Sequence, residues 1–322
     1  MKKEVKKFFI ISIAGYAILA ALTAILAPNL QRFYPLPPDQ GPSWYFWQIA
    51  SPETLAIISY IGGYILHQIF VWAILFKVIK DKEKKFSKYN KIMIIGNLIF
   101  TALHLLQTQL FYAGLAQDVA IWTSQGSVIV MLVFILYMLI PRRGLFWGKK
   151  FAPPETMRKF IEKIHGVFIS WAIVYTFWFH PMDGNWGLMS GFIYLFLLFI
   201  QLSMFNSELH FNMNWIVLLE AFVTVHGTLI TVYKSNPIWP MFLFGFMTMF
   251  IFTQMHGLKI SKIVKFVFLS AYIISIGLVY GLIRGFEHIY EIFFIPVALY
   301  GGVIALLGIG KLIEIGNKKK TN

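Results

Sequence analysis

The chain has 322 residues, of which 58% are hydrophobic and only 13% charged, and its mean hydropathy is +0.69. Soluble domains carry about a quarter charged residues, so water is not the main solvent of this chain. The net charge of +14 would suggest a nucleic-acid partner in a soluble protein, but the basic residues cluster at the ends of apolar runs, and we expect no nucleic acid. The absence of cysteine excludes disulfides, thiolate metal sites and cysteine nucleophiles.

Apolar runs of about 20 residues, long enough to cross a bilayer core, recur along the whole chain. The first follows a basic start, but it is too long for a signal peptide and no cleavage site follows it, so we interpret it as a membrane helix. Ser51, Pro52 and Glu53 are a typical start signal for the second helix. The pattern predicts ten helices, at about 8–27, 51–77, 92–115, 119–140, 160–180, 187–205, 213–233, 240–257, 264–284 and 289–313.

These helices predict an all-α, polytopic integral membrane bundle that forms a single transmembrane domain over residues 1–322, because no other stretch is long enough to fold alone. Among the 28 basic residues, only Arg32, Lys234 and Arg284 fall outside when both termini are placed in the cytoplasm. That distribution follows the positive-inside rule and predicts a multi-pass protein of the cell (inner, cytoplasmic) membrane. The expected partners are membrane lipid and either a partner membrane subunit or a second copy of the chain.

Three histidines, His67, His104 and His226, lie near the middle of predicted helices. One interpretation is a haem or a transition metal held between helices, since imidazole is a common ligand for both. The other is a bundle without a cofactor, in which neutral His, Asn, Thr and Gln side chains form hydrogen bonds between helices. Spacing does not decide between them, because no two of these histidines share a helix.

Further polar side chains at membrane depth predict a polar path through the bundle. Glu220 lies near the middle of the seventh helix, six residues from His226, so the two lie on different faces. Polar groups inside a membrane are costly and commonly mark ion or substrate routes. The residues assigned to the path are Glu220, Asn97, Gln107 and Gln125.

A second polar layer is predicted at the outer face of the bundle. His180 and His288 are its candidate metal ligands, and the layer could also be a proton exit, a substrate mouth or a set of solvated loop ends. Its other members are Asp118, Asp183, Arg284, Glu287 and Glu291. A comparable inner layer contains Glu162, His165, Glu208, His210 and His256.

The stretch from Trp122 to Trp186 resembles two helices of the catalytic subunit of the haem-copper oxidase and nitric-oxide reductase superfamily. In that family one helix runs from Trp-x-x-His-x-x-Val to Tyr-x-x-x-Pro-basic, and the next carries an inner His, a Tyr, an outer His pair and a Trp. The first pattern is matched by Trp122, Val128, Tyr137, Pro141 and Arg142, and the second by His165, Tyr175, His180 and Trp186. The resemblance implies a membrane redox protein.

Most of the family's metal ligands are missing from this chain. Gln125 stands where the family has its copper-binding His, Pro181 replaces one member of the His pair, and the helix that opens at Trp239 lacks the haem-binding His-x-His. The resemblance therefore implies a relative in which the dioxygen-reducing centre is lost or moved. Any remaining haem would have to use His67, His104 or His226.

Three hypotheses for function follow. The first is a haem- or metal-binding redox-type membrane protein that is a degenerate relative of the haem-copper oxidases. The alternative is a proton- or ion-coupled transporter or channel that uses the buried His, Gln and Glu residues. The third is a membrane-embedded lipid-modifying enzyme, for which the sequence offers no nucleophile motif and therefore no catalytic residue.

Overall fold

The computed structural model describes residues 1–32, 54–111, 121–180, 186–233 and 235–321. The start signal expected at 51–53 lies outside these ranges. Within them the chain is helical and has no strand. The ten α-helices are α1 Lys3–Leu26, α2 Thr54–Lys80, α3 Lys88–Leu110, α4 Ile121–Arg143, α5 Glu155–Trp178, α6 Trp186–Ser203, α7 Met213–Tyr233, α8 Trp239–Phe252, α9 Lys262–Val279 and α10 Phe294–Thr321.

Nine helical segments in the described part of the chain are long and apolar enough to span a membrane. The prediction of an all-helical membrane fold is confirmed. The helix that falls short is α8, which has 14 residues and continues as a 3₁₀ turn at Gln254–Gly257. The predicted run over 240–257 therefore contains two elements, because the helical hydrogen bonding changes at Thr253.

Two of the last predicted helices are also composite. The α9 helix is followed by a π-helical turn, Tyr280–Arg284, and α10 is preceded by the 3₁₀ segment Phe286–Phe293. Gly285 joins the two segments with φ of +95°, a left-handed conformation that glycine adopts without strain. The hydropathy of the sequence cannot distinguish a π-helical or 3₁₀ segment from an α-helix, because the chain stays helical through all of them.

The described residues group into two compact units. Unit 1 comprises 1–127 and 166–215, and unit 2 comprises 128–165 and 216–322. The chain passes from one unit to the other within α4, within α5 and in the first turn of α7. The prediction of one transmembrane domain over the whole chain stays a prediction.

In unit 1 the helices approach closely where glycine faces an aromatic ring. Gly63 of α2 faces the Trp178 indole of α5, and Gly96 of α3 faces the Phe70 ring of α2. Small residues at such positions allow close packing in membranes, where association depends on van der Waals contact. This packing brings the polar residues of α2, α3 and α5 together inside the unit.

In unit 2 the central contacts join α8 to the segments around it. The cluster contains Phe244, Ile251, Met255, Tyr272, Tyr280 and Ile292. By contrast, α9 carries a long row of exposed apolar side chains, such as Ile263, Phe266 and Ile274. Such a surface suits lipid contact.

Candidate functional site: buried polar groups in each unit

The His67 imidazole is fully buried in unit 1, and both of its nitrogens make hydrogen bonds. Nε2 lies 2.9 Å from Oδ1 of Asn97 on α3, and the indole N–H of Trp178 on α5 donates to Nδ1 over 3.1 Å. Because an indole nitrogen can only donate, Nδ1 is the acceptor and Nε2 carries the proton. His67 is therefore a neutral imidazole whose orientation is fixed by two other helices.

The hydrogen bonds continue from Asn97 to the end of α6. Asn97 Nδ2 donates to Oγ of Ser203 over 2.9 Å. Two helical turns earlier on α3, Asn90 Nδ2 donates to the backbone oxygens of Ser203 and Phe205 over 2.9 and 2.8 Å. Buried hydrogen bonds of this kind hold helices together in membranes. Asn97, predicted as part of a polar path, lies in this network.

His104 on α3 is also fully buried in unit 1, but its surroundings differ. Its ring centre lies 4.4 Å from that of Trp178 and 4.8 Å from that of Phe177. Neither ring nitrogen has a hydrogen-bond partner among the described residues. The Gln107 amide, one turn further on, lies close to the imidazole but without hydrogen-bond geometry, and its Nε2 donates to Ser59 Oγ over 2.9 Å. His104 is thus a buried imidazole that packs against two aromatic rings and whose nitrogens have no partner among the described residues.

A charged pair is buried in unit 2 between Arg143, the last residue of α4, and Glu220 on α7. Arg143 Nη2 lies 2.6 Å from Glu220 Oε1, and Arg143 Nη1 contacts Glu220 Oε2. The two side chains are 0% and 3% exposed. The partial negative charge at the C-terminal end of α4 favours a cation there. The pair is bidentate and neutral as a whole, but the Nε–H of Arg143 has no hydrogen-bond partner among the described residues.

Glu220 begins a buried stripe of polar and small residues along α7. Thr224, Gly227 and Thr231 follow it at intervals of four, three and four residues, which places all of them on one helix face. The threonines are 8% and 3% exposed. His226 is half-buried and lies off this face, so the expectation that it is separate from Glu220 agrees with the helical geometry.

Hydroxyl groups lie close to the charged pair. The turn after α4 begins at Gly144, whose φ is +85°, and Trp147 N–H donates to the Phe252 oxygen at the end of α8 over 2.8 Å. This contact places Thr253 beside the turn, where its hydroxyl lies 2.7 Å from that of Tyr300 on α10. The Arg143 charge acts on the Tyr300 hydroxyl, so Tyr300 is a polar neighbour of the pair.

His256 follows α8 and packs against the same turn. Its ring centre lies 5.9 Å from that of Trp147. Burial lowers the pKa of His256, and the nearby charge of Lys265 lowers it further. Both effects disfavour the protonated form of this imidazole, which lies against the turn that follows Arg143.

The candidate metal ligands are in different units. His180 follows α5 in unit 1 and is buried against Phe192, with ring centres 4.8 Å apart. His288 is in unit 2, with Nδ1 3.4 Å from Oε1 of Glu287. Among the described residues, no group of three or more His, Cys, Asp or Glu could hold a metal ion. The metal site at His180 and His288 stays a prediction.

The other predicted residues are distributed as follows. Gln125 on α4 is half-buried. Arg284 and Glu291, from the predicted outer layer, form an ion pair in which Arg284 Nε donates to Glu291 Oε2 over 3.1 Å. Asp118 and Asp183 lie outside the described residues. Pro181 and the side chain of Trp122, which belong to the two helices of the family resemblance, also lie outside them.

Nine apolar helical segments in the described ranges, with exposed apolar surfaces on helices such as α9, define a multi-pass helical membrane protein. Comparison with protein-family models, with characterised proteins and with solved structures finds no match to this chain. Its function is therefore inferred from the geometry of its own buried polar groups.

Sequence reasoning missed two residues that complete these clusters, Arg143 and Trp178. Arg143 ends a predicted apolar run, where the positive-inside rule accounts for a basic residue without a partner. Trp178 is one of ten tryptophans in the chain, and nothing in the sequence around it distinguishes it from the others. Its role depends on its position opposite Gly63, which only the three-dimensional packing reveals.

Proposed function

We propose that the chain is a proton- or ion-coupled membrane transport protein and that Glu220 carries the coupling charge. The observation that supports this is the buried, bidentate Arg143–Glu220 pair. Apolar residues of similar volume are often at least as stabilising as a buried ion pair, so stability alone is a weak reason for two charges here. Ionisable groups at membrane depth commonly mark ion and proton routes.

The surroundings of the pair fit this function. The stripe of Thr224, Gly227 and Thr231 continues from Glu220 along α7, with buried hydroxyls at membrane depth. The Tyr300 and Thr253 hydroxyls lie beside the turn that follows Arg143. In this proposal Glu220 alternates between its bond to Arg143 and a protonated or ion-bound form, and this change couples the transported species to the charge.

The test is solute-dependent proton flux in proteoliposomes that contain a pH-sensitive dye. Solutes are added one chemical class at a time. We expect one class to produce a proton flux, and Glu220→Gln to reduce it by about tenfold or more, in the range of measured coupling energies.

The matched control is Glu162→Gln. Glu162 forms a solvent-exposed pair with Arg158, 49% and 35% exposed, in the same unit, and its removal should leave the flux unchanged. A flux that persists in Glu220→Gln, or no solute-dependent flux in the unaltered protein, would argue against transport.

A second function, haem binding in a redox-type protein, is favoured by His104. Both of its nitrogens are buried and without a hydrogen-bond partner among the described residues, whereas a metal at His67 would have to replace the bond to Asn97 or to Trp178. Of these two histidines, His104 therefore fits an axial haem ligand better. Imidazole would supply the axial ligand that tunes the iron.

The visible spectrum of protein purified in mild detergent tests this second function. With haem bound, a Soret band and reduced α and β bands are expected, and His104→Ala should remove them while His67→Ala retains part of the colour. A colourless, metal-free protein, or full colour in a His67/His104 double variant, would exclude both histidines as haem ligands.

A further inference from the structure

We infer that Arg143 binds a small anion with two acceptor oxygens, a carboxylate or a phosphate, in place of Glu220, and that Glu220 takes up a proton as the anion binds. This inference rests on the transport function proposed above and names the class of substrate. It assigns the two members of the pair different roles, one as the anion site and the other as the proton carrier.

The charge balance of the buried site requires this linkage. With Glu220 ionised, the pair is neutral, and an added anion would leave a net negative charge in a site that is at most 3% exposed. With Glu220 protonated and no anion, the guanidinium would be an uncompensated buried charge, which is costly. One anion and one proton arriving together keep the site neutral, since the anion takes the guanidinium and the proton neutralises the carboxylate.

The geometry of Arg143 suits an oxygen anion. A guanidinium presents its N–H groups in a planar fork that fits carboxylate and phosphate. Two of these groups hold Glu220, and Nε–H has no hydrogen-bond partner among the described residues, so one donor is already available.

Among the described residues, no ion pair joins Arg143 or Glu220 to a third charged side chain. On α10 the Arg143 charge acts on the Tyr300 hydroxyl, and the His256 imidazole, which follows α8, packs against Trp147 in the turn after Arg143. On α7 itself, His226 lies on a different face from Glu220. Exposed Lys149 and Lys150 follow α4 and would attract anions towards this end of unit 2.

Calorimetry of anion binding to the purified full chain tests the inference. Benzoate, inorganic phosphate and chloride are titrated in two buffers with different ionisation enthalpies, which gives the number of protons taken up. Benzoate or phosphate should bind with about one proton per anion. Because anion binding and protonation of Glu220 are linked, the affinity for the anion should rise by about tenfold for each unit by which the pH is lowered. This holds as long as Glu220 is ionised in the anion-free protein.

Two variants separate the roles of the residues. Glu220→Gln mimics the protonated carboxyl, so it should bind the same anion more tightly at neutral pH, without proton uptake, and gain thermal stability from it. The double variant Arg143→Gln/Glu220→Gln should not bind it. If the glutamine variants do not fold, the number of protons taken up per anion and the pH dependence of the affinity, both measured on the unaltered protein, still test the inference.

Anion binding without proton uptake, binding of chloride alone, or no binding of either oxygen anion would overturn the inference. The transport function has a separate readout. A Glu220-dependent proton flux driven by a cation or a neutral solute would retain transport and reject the anion site, whereas loss of all solute-dependent flux would reject the transport function itself.

Discussion

We expect Arg143→Met to destabilise the folded protein by about 3–5 kcal/mol, because it leaves the Glu220 carboxylate buried without its cation. Glu220 is 3% exposed at its side chain, so water cannot replace the guanidinium without rearrangement. The free energy of unfolding can be followed by denaturant titration in detergent micelles. Arg142→Met is the matched control, since Arg142 is the preceding residue and its side chain is exposed.

The double variant Arg143→Met/Glu220→Met distinguishes a penalty for an unpaired charge from a general loss of packing. Replacing both charges by apolar side chains of similar size is often neutral or stabilising, so the double variant should be more stable than Arg143→Met alone. Additive losses would show instead that each side chain acts through its own packing. Equal stability of Arg143→Met and Arg142→Met would contradict the buried pair.

The bounds of a helix could be predicted from the sequence where the length of the apolar run determines them. The seventh predicted helix, 213–233, agrees with α7 at both ends. The third begins earlier than predicted, at Lys88, because Ser87 Oγ caps the helix by accepting from Tyr89 N–H. Such caps lie in polar sequence, where a hydropathy window gives no signal. The same window could not divide the run over 240–257 into α8 and a 3₁₀ turn.

The buried polar sites could be predicted only in part. The sequence indicated His67, Asn97, His104 and Glu220 because polar residues stand out in apolar helices. Their partners are far away in the chain, as Arg143 is from Glu220, and helical periodicity relates only residues of one helix. For that reason the sequence could not tell that His67 has both nitrogens in hydrogen bonds while His104 has neither.

The two neighbouring glycines of α2 provide the second prediction with a large effect. A Cβ on Gly63 would lie 2.2 Å from Cη2 of Trp178, whereas a Cβ on Gly62 would meet nothing within 4 Å. Trp178 is 2% exposed and its ring also packs against His104, so it cannot move aside freely. Gly63→Ala should therefore destabilise the protein by about 1–3 kcal/mol through overpacking.

Gly62→Ala is the internal control and should be neutral or stabilising by up to about 1 kcal/mol, because alanine favours helix more than glycine does. Displacement of the indole in Gly63→Ala would also break the hydrogen bond from Trp178 to His67, leaving the buried Nδ1 without its donor. A difference in thermal unfolding between two variants that add the same methyl group one residue apart would therefore report this contact directly. Equal unfolding curves would mean that Trp178 does not lie against α2 and does not hold His67 in its neutral form.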